Sequence, residues 1–144
     1  MEILPSQPSA KGPSEIVSGD VWFDNIVKGE EPSRVRAVIA HFAPCARTGW
    51  HTHAVGQTLH ILQGIALVQS RGGEVIEAHP GDTIYTPPGE WHWHGAASDR
   101  YMTHLSVTEA PEPGTGPEVE WGEPVSDAEY TGPRRRSWDE TTQV

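Results

Sequence analysis

The stretch Gly49–Gly64, GWHTHAVGQTLHILQG, carries histidines at 51, 53 and 60, and a second stretch, PPGEWHWHGA at Pro87–Ala96, carries two more at 92 and 94. In an extended strand, residues two apart point to the same side. His51 and His53 therefore project together, and so do His92 and His94. Neutral imidazole is the commonest metal ligand, and one ion needs several such groups to converge. A His-x-His pair on its own is more often a pair of hydrogen-bonded core or surface histidines, so the elements that carry these pairs decide between the two readings.

Those elements are short strands. The chain has 15 glycines and 13 prolines in 144 residues, too many breaks for long helices, and they fall between stretches rich in Val, Ile, Thr and Tyr. Strands are expected at Asp20–Phe23, Arg34–Phe42, Gln57–Gln63 and Ile65–Ser70, then at Val75–Ala78, Thr83–Thr86, Trp91–Ala96 and Tyr101–Val107. The turn Arg71-Gly72-Gly73-Glu74 reads as a hairpin, and Pro80-Gly81-Asp82 and Pro87-Pro88-Gly89-Glu90 as two further turns. Strands of four to eight residues at this spacing predict an all-β fold, a single small antiparallel barrel with irregular N- and C-terminal arms.

Domain bounds follow from composition. Residues 1–18 are Pro/Ser-rich and read as an N-terminal arm, and residues 19–110 hold the barrel. Residues 111–130 form an acidic Pro/Gly-rich connector whose Ser126-Asp127-Ala128-Glu129 has the form of a capping box opening a short helix. Residues 131–144, with Arg134–Arg136, read as a mobile tail with a solvated arginine run. The 10 Lys+Arg against 20 Asp+Glu give a net charge of −10, which argues against nucleic acid or an anionic membrane as partner. No apolar run approaches the roughly 20 residues of a membrane span. The first residues lack the form of a signal peptide, and Cys45 is the lone cysteine, which rules out an intramolecular disulfide. A cytoplasmic protein acting on a small molecule is the expectation.

The spacing of His51, Thr52, His53, Gln57 and Gly64, followed by Gly81, Pro87, Gly89 and His92, resembles the two conserved motifs of the cupin superfamily. That resemblance covers about Ser33 to Val107 and implies a jelly-roll barrel, also called a double-stranded β-helix, with one divalent metal inside. By the same resemblance the ligands are His51, His53, Gln57 and His92. Most cupins carry Glu at the third of these positions. An amide oxygen is a weaker, neutral donor, so the ion would keep its full charge and act as a stronger Lewis acid. Four protein ligands on a six-coordinate ion leave two positions open. Mixed nitrogen and oxygen donors suit Mn, Fe, Ni, Co or Zn.

If His92 is a ligand, strand alternation turns His94 into the same interior, and Met102, His104 and Ser106 share one face of the last strand. His94 and His104 are then candidates for proton transfer or for supporting the ligands. His60 and His79 read as structural, and His41 is ambiguous because its strand is apolar on both faces. Trp50, Trp91 and Trp93 alternate with the histidines and are expected on the outside, as packing or a subunit interface. The segments ARTGWHTHAVGQTL, HPGD, PPGEWHWHGA and MTHLSV, with Trp121 and VSDAEY downstream, look like the small bacterial manganese-dependent cupin hydroxynitrile lyases. This resemblance runs to Tyr130. It implies manganese as cofactor, cleavage or formation of cyanohydrins, and His94 or His104 as the group that handles protons. Two alternatives are a metal-dependent dioxygenase and a non-catalytic small-molecule-binding cupin. The outward tryptophans and apolar strand faces suggest a homo-oligomer, a dimer or a tetramer.

Overall fold

The computed structural model describes residues 1–136. Its strands in chain order are β1 (Ala10–Lys11), β2 (Val17–Ser18), β3 (Val21–Lys28), β4 (Val35–Phe42), β5 (Arg47–Thr48), β6 (His51–His53) and β7 (Gln57–Gly64). There follow β8 (Ala66–Ser70), β9 (Val75–Ala78), β10 (Thr83–Thr86), β11 (His92–Ala96), β12 (Met102–Glu109) and β13 (Val119–Trp121). The helix α1 (Asp127–Tyr130) and the strand β14 (Arg134–Arg136) complete the described chain. The expected all-β jelly roll is realised as two facing sheets. One runs β1-β3-β4-β12-β7-β10, and the other β13-β6-β11-β8-β9-β14, with β5 joining β2 to β11. Pairing is antiparallel except for β14 on β9. No helix among the described residues is long and apolar enough to cross a membrane.

The space between the sheets is graded along the strands. At one end Val21, Phe42, Ile61, Ala66, Ala96 and Met102 form a fully apolar core. Further along the same inward faces, Met102 gives way to His104 and Ser106 on β12, Ile61 to Leu59 and Gln57 on β7, and Ala96 to His94 and His92 on β11, all buried. A second apolar cluster lies on the opposite face of β11 and β8, where Trp93 and Leu67 pack with Trp50, Val75, Val125 and Tyr130. The outward tryptophans are thus covered by the chain's own C-terminal segment. The capping box forms as expected: Ser126 Oγ accepts the Glu129 N–H at 3.1 Å, and Glu129 Oε1 accepts the Ser126 N–H at 2.9 Å. Tyr130 then reaches back to donate its hydroxyl to the Ala96 carbonyl at 2.6 Å.

Three segments differ from the sequence-based expectation. The first strand runs on from Asp20–Phe23 to Lys28, because its whole length pairs with β4. That pairing overrides the weak β-propensity of Asp24 and Asn25, with a bulge between Asn25 and Val27. Residues 1–18 contribute two short strands, of which β1 lies along the edge strand β3 and covers backbone groups that would otherwise face solvent. Arg134–Arg136 pair in parallel with Val75–Glu77 through the backbone and are exposed, with Arg135 Nε 4.0 Å from Glu74. The rest of the expected tail, residues 137–144, lies outside the described residues.

The β7–β8 corner depends on Gly64, whose φ of 78° is a left-handed conformation and whose added Cβ would run into the Tyr101 carbonyl. Gly64→Ala should therefore cost at least about 2 kcal/mol, read as a fall in the denaturation midpoint. An unchanged midpoint would show that the corner relaxes freely.

Candidate functional site

Strand β6 lies between β13 and β11, with Trp121 and His92 both in register with His51. This stacks the imidazoles of two hydrogen-bonded strands. Ring centroids lie 4.3 Å apart for His51 and His92, 5.1 Å for His51 and His53, and 5.5 Å for His53 and His92. One ring nitrogen from each of the three lies within 4.8 Å of the others, an arrangement that suits a divalent metal.

The hydrogen bonds around the rings decide which nitrogen is free. His51 Nδ1 lies 2.8 Å from the Gly49 carbonyl, and His92 Nδ1 lies 2.9 Å from the Glu90 carbonyl. A carbonyl only accepts, so each ring carries its proton on Nδ1 and leaves Nε2 as a bare lone pair. His53 Nε2 is buried with no partner. Gln57 places its amide oxygen 3.0 Å from His92 Nε2, and its Nε2 donates to Ser106 Oγ at 2.9 Å. Two acceptor atoms face each other across 3.0 Å, which a cation at that point relieves. The donor set therefore fits one divalent ion.

Burial keeps these rings uncharged. Loss of hydration pushes His51 well below the ordinary imidazole range, with neighbouring His92 adding to the effect. The same cause takes His53 down to about 4 and lowers His92. Neutral imidazole is the form that ligates.

Deeper between the sheets sit His94 and His104. His104 Nε2 and His94 Nδ1 are 2.9 Å apart, Phe42 packs against both rings, and the His94 backbone N–H donates to Thr48 Oγ1 at 3.2 Å. Their other nitrogens, His94 Nε2 and His104 Nδ1, are buried without partners. Desolvation pushes His94 well below the usual range and His104 down to about 4.

A cavity of about 450 Å³ opens onto His51, His53, Gln57, His94, His104 and Ser106, within the range of small-molecule sites. Its walls include Phe23, Val38, Ala40, Val119 and Trp121, and Ala10, Lys11, Pro13 and Ile16 border it. Trp121 lies over His51 with centroids 4.7 Å apart. At the rim, Arg36 donates to Glu118 at 3.0 Å.

The structure thus brings His51, His53, Gln57, His94 and His104 to one cavity, with His92 packed against His51 and Gln57. The remaining histidines stand elsewhere. His41 bridges Asp24 and Thr103 on the outer face, His60 meets Thr83 Oγ1 at 2.8 Å, and His79 lies 3.2 Å from Glu77. Sequence reasoning missed Trp121, Val119 and the N-terminal residues as cavity wall. Their one signal was an isolated tryptophan in an acidic connector.

A cupin domain profile matches residues 38–108. The chain is 44% identical over 125 residues to an (R)-mandelonitrile lyase of Granulicella tundricola, covering 87% of this chain and 93% of that one. A crystal structure of a cupin-like protein from Thermotoga maritima superposes with a TM-score of 0.78 at 33% identity, covering 90% and 95% of the two chains. A cupin-2 domain protein from Rhodospirillum rubrum shares the fold at a TM-score of 0.65 and 16% identity, over 90% and 82% of the chains.

His51→Ala and His92→Ala should each weaken metal binding by more than the roughly 10–100-fold that losing an outer-sphere partner costs, measured by metal analysis after dialysis. Full occupancy in both variants would remove the cluster from consideration.

Acid should destabilise the metal-free protein. With a folded-state pKa near 4 against an ordinary 6.5, His104 binds fewer protons folded than unfolded between those values. Stability is then complete above about pH 6.5 and is lost as pH falls toward 4, by up to roughly 1.4 kcal/mol per pH unit for one such group. Urea midpoints at pH 7 and pH 5 read this directly, and equal midpoints would contradict it.

Proposed function

This chain belongs to the cupin family, and we propose that it is a divalent-metal-dependent lyase that cleaves and forms cyanohydrins. The observation that carries the reading is the buried His94–His104 pair beside the three-histidine cluster, in a chain 44% identical to an (R)-mandelonitrile lyase. In this reading His51, His53, Gln57 and His92 hold the ion, manganese by likeness to the resembled lyases. A divalent ion held there supplies Lewis acidity toward the hydroxyl or carbonyl oxygen of the substrate.

The histidine pair supplies the proton accounting. Two neutral imidazoles joined nitrogen to nitrogen share one proton, so one outer nitrogen is an acceptor and the other a donor. Taking a proton at the acceptor end, passing the shared proton across and releasing the proton at the donor end exchanges these roles and leaves both rings neutral. In cleavage the pair takes the hydroxyl proton, the carbon–carbon electron pair leaves with cyanide, and the proton passes to cyanide to give hydrogen cyanide and an aldehyde. Nothing is oxidised or reduced. Because burial keeps both rings neutral, the pair enters the cycle able to accept. The apolar walls of the cavity hold the organic part of the substrate and exclude water.

A homo-oligomer is part of the same reading. On the outer face of the first sheet, Leu105 lies opposite Ile39 and Val107 opposite Ala37 across β12 and β4, with Trp22 and Tyr85 exposed at 44% and 63%. A row of apolar side chains on an open sheet face supports pairing with a second copy.

With manganese bound, wild-type protein should release cyanide from an aromatic cyanohydrin, with or without oxygen. His94→Ala and His104→Ala should retain metal and lose roughly 10²–10⁴ in turnover, the usual worth of general acid–base help. Turnover unchanged with metal bound would make the pair structural. No cyanide release from wild type, together with oxygen uptake by the iron form on a diketone or thiol, would establish a dioxygenase instead. Gln57→Glu should keep the ion and lower activity, since a charged oxygen donor reduces its Lewis acidity.

A further inference from the structure

The Ser106 hydroxyl has a proton with no destination in the protein. Ser106 is 9% exposed, lines the cavity, and accepts the Gln57 amide N–H at 2.9 Å. Accepting leaves its own O–H uncommitted, and among the described residues no protein atom takes it. The direction of this contact follows from the other end of the amide. Gln57 Oε1 faces His92 Nε2 at 3.0 Å, and that nitrogen is a lone pair because Nδ1 is committed to the Glu90 carbonyl. A cation between the two acceptors stabilises the amide that way round. Without one, the lower-energy amide rotamer turns its N–H to His92 and its oxygen to Ser106, and the serine proton is then consumed inside the protein.

We propose that Ser106 donates its hydroxyl in a hydrogen bond to the nitrogen end of a cyano group in the cavity, and that metal loading arms this donor by fixing the Gln57 amide. The identity of the ligand rests on the cyanohydrin reading above. Ser106 stabilises negative charge on the departing group, and transfers no proton, while His94 and His104 carry the proton. A hydrogen bond to an anion strengthens as charge develops on it, so the contact favours bond breaking over substrate binding.

The test uses the cobalt-loaded full chain with azide as a linear anionic probe, followed by visible absorption and by the infrared stretch of bound azide. At saturating cobalt, Ser106→Ala should keep one equivalent of metal, with cobalt affinity lowered by about tenfold through the released Gln57 amide. It should bind azide at least about tenfold more weakly, the lower end of what a hydrogen bond to a charged group is worth. Ser106→Thr, which keeps the hydroxyl, should return azide affinity to within about threefold of wild type, a gap smaller than the same hydrogen bond is worth. The azide stretch should shift between water and heavy water in wild type and Ser106→Thr, and the shift should shrink in Ser106→Ala. Equal azide affinity and equal stretches in wild type and Ser106→Ala would overturn the proposal, as would a Thr variant that behaves like Ala. The readout does not depend on turnover. A wild type that cleaves no cyanohydrin but shows the serine-dependent azide pattern would sink the lyase reading and leave the donor standing.

Discussion

Strand β11 has to bury both of its faces. His92, His94 and Ala96 point between the sheets, while Trp93 points the other way into the cluster with Leu67 and Tyr130. The inward face carries imidazoles that lose hydration, which is unfavourable wherever a ring nitrogen lacks a partner. The outward face offsets that cost, since removing a buried tryptophan side chain typically costs about 3–5 kcal/mol. The glycine between them, Gly95, has backbone and side-chain atoms of Ala46 and Arg47 where a Cβ would stand. It lets β5 close over the strand. Position of the histidines and anchoring of the C-terminal segment are therefore one packing problem, solved on the two sides of five residues.

The interior this produces is neutral. The three-histidine cluster includes no carboxylate, and the rings around it stay uncharged because burial disfavours protonation. The excess of acidic residues that gives the chain its net charge of −10 is spent elsewhere. An ion entering such a site meets dipoles and lone pairs with no formal charge to offset its own, so its field reaches the cavity undiminished. The apolar wall provided by Phe23, Val38 and Ala40 preserves that field by keeping the local dielectric low.

The parts of this arrangement that depend on alternation were legible in the chain. Period-two spacing put His51 with His53, His92 with His94, and His104 with Ser106, and each pairing holds in the strands that form. The capping box at Ser126 and Glu129 was legible too, because its signal is local. What escaped was pairing without pattern. Val119–Trp121 sits in an acidic Pro/Gly-rich run with no alternation, and becomes a strand because β6 offers it an unpaired edge. The same holds for Ala10–Lys11 against β3. The joining of His94 to His104 was visible only as a shared interior, since β12 and β11 lie in different sheets.

The ends of the chain, which attach to the edges of both sheets, also make the outer wall of the cavity. Ala10, Lys11, Pro13 and Ile16 border it, and so do Glu118, Val119 and Trp121, while the candidate ligands stand on inner strands whose hydrogen bonds run to β8, β12 and β13. The candidate ligands and the outer part of the cavity wall are thus carried on separate stretches of polypeptide. Drift in the terminal segments can reshape which molecules enter while the imidazole core stays as it is. One scaffold can in this way acquire new clients by changing its least patterned residues.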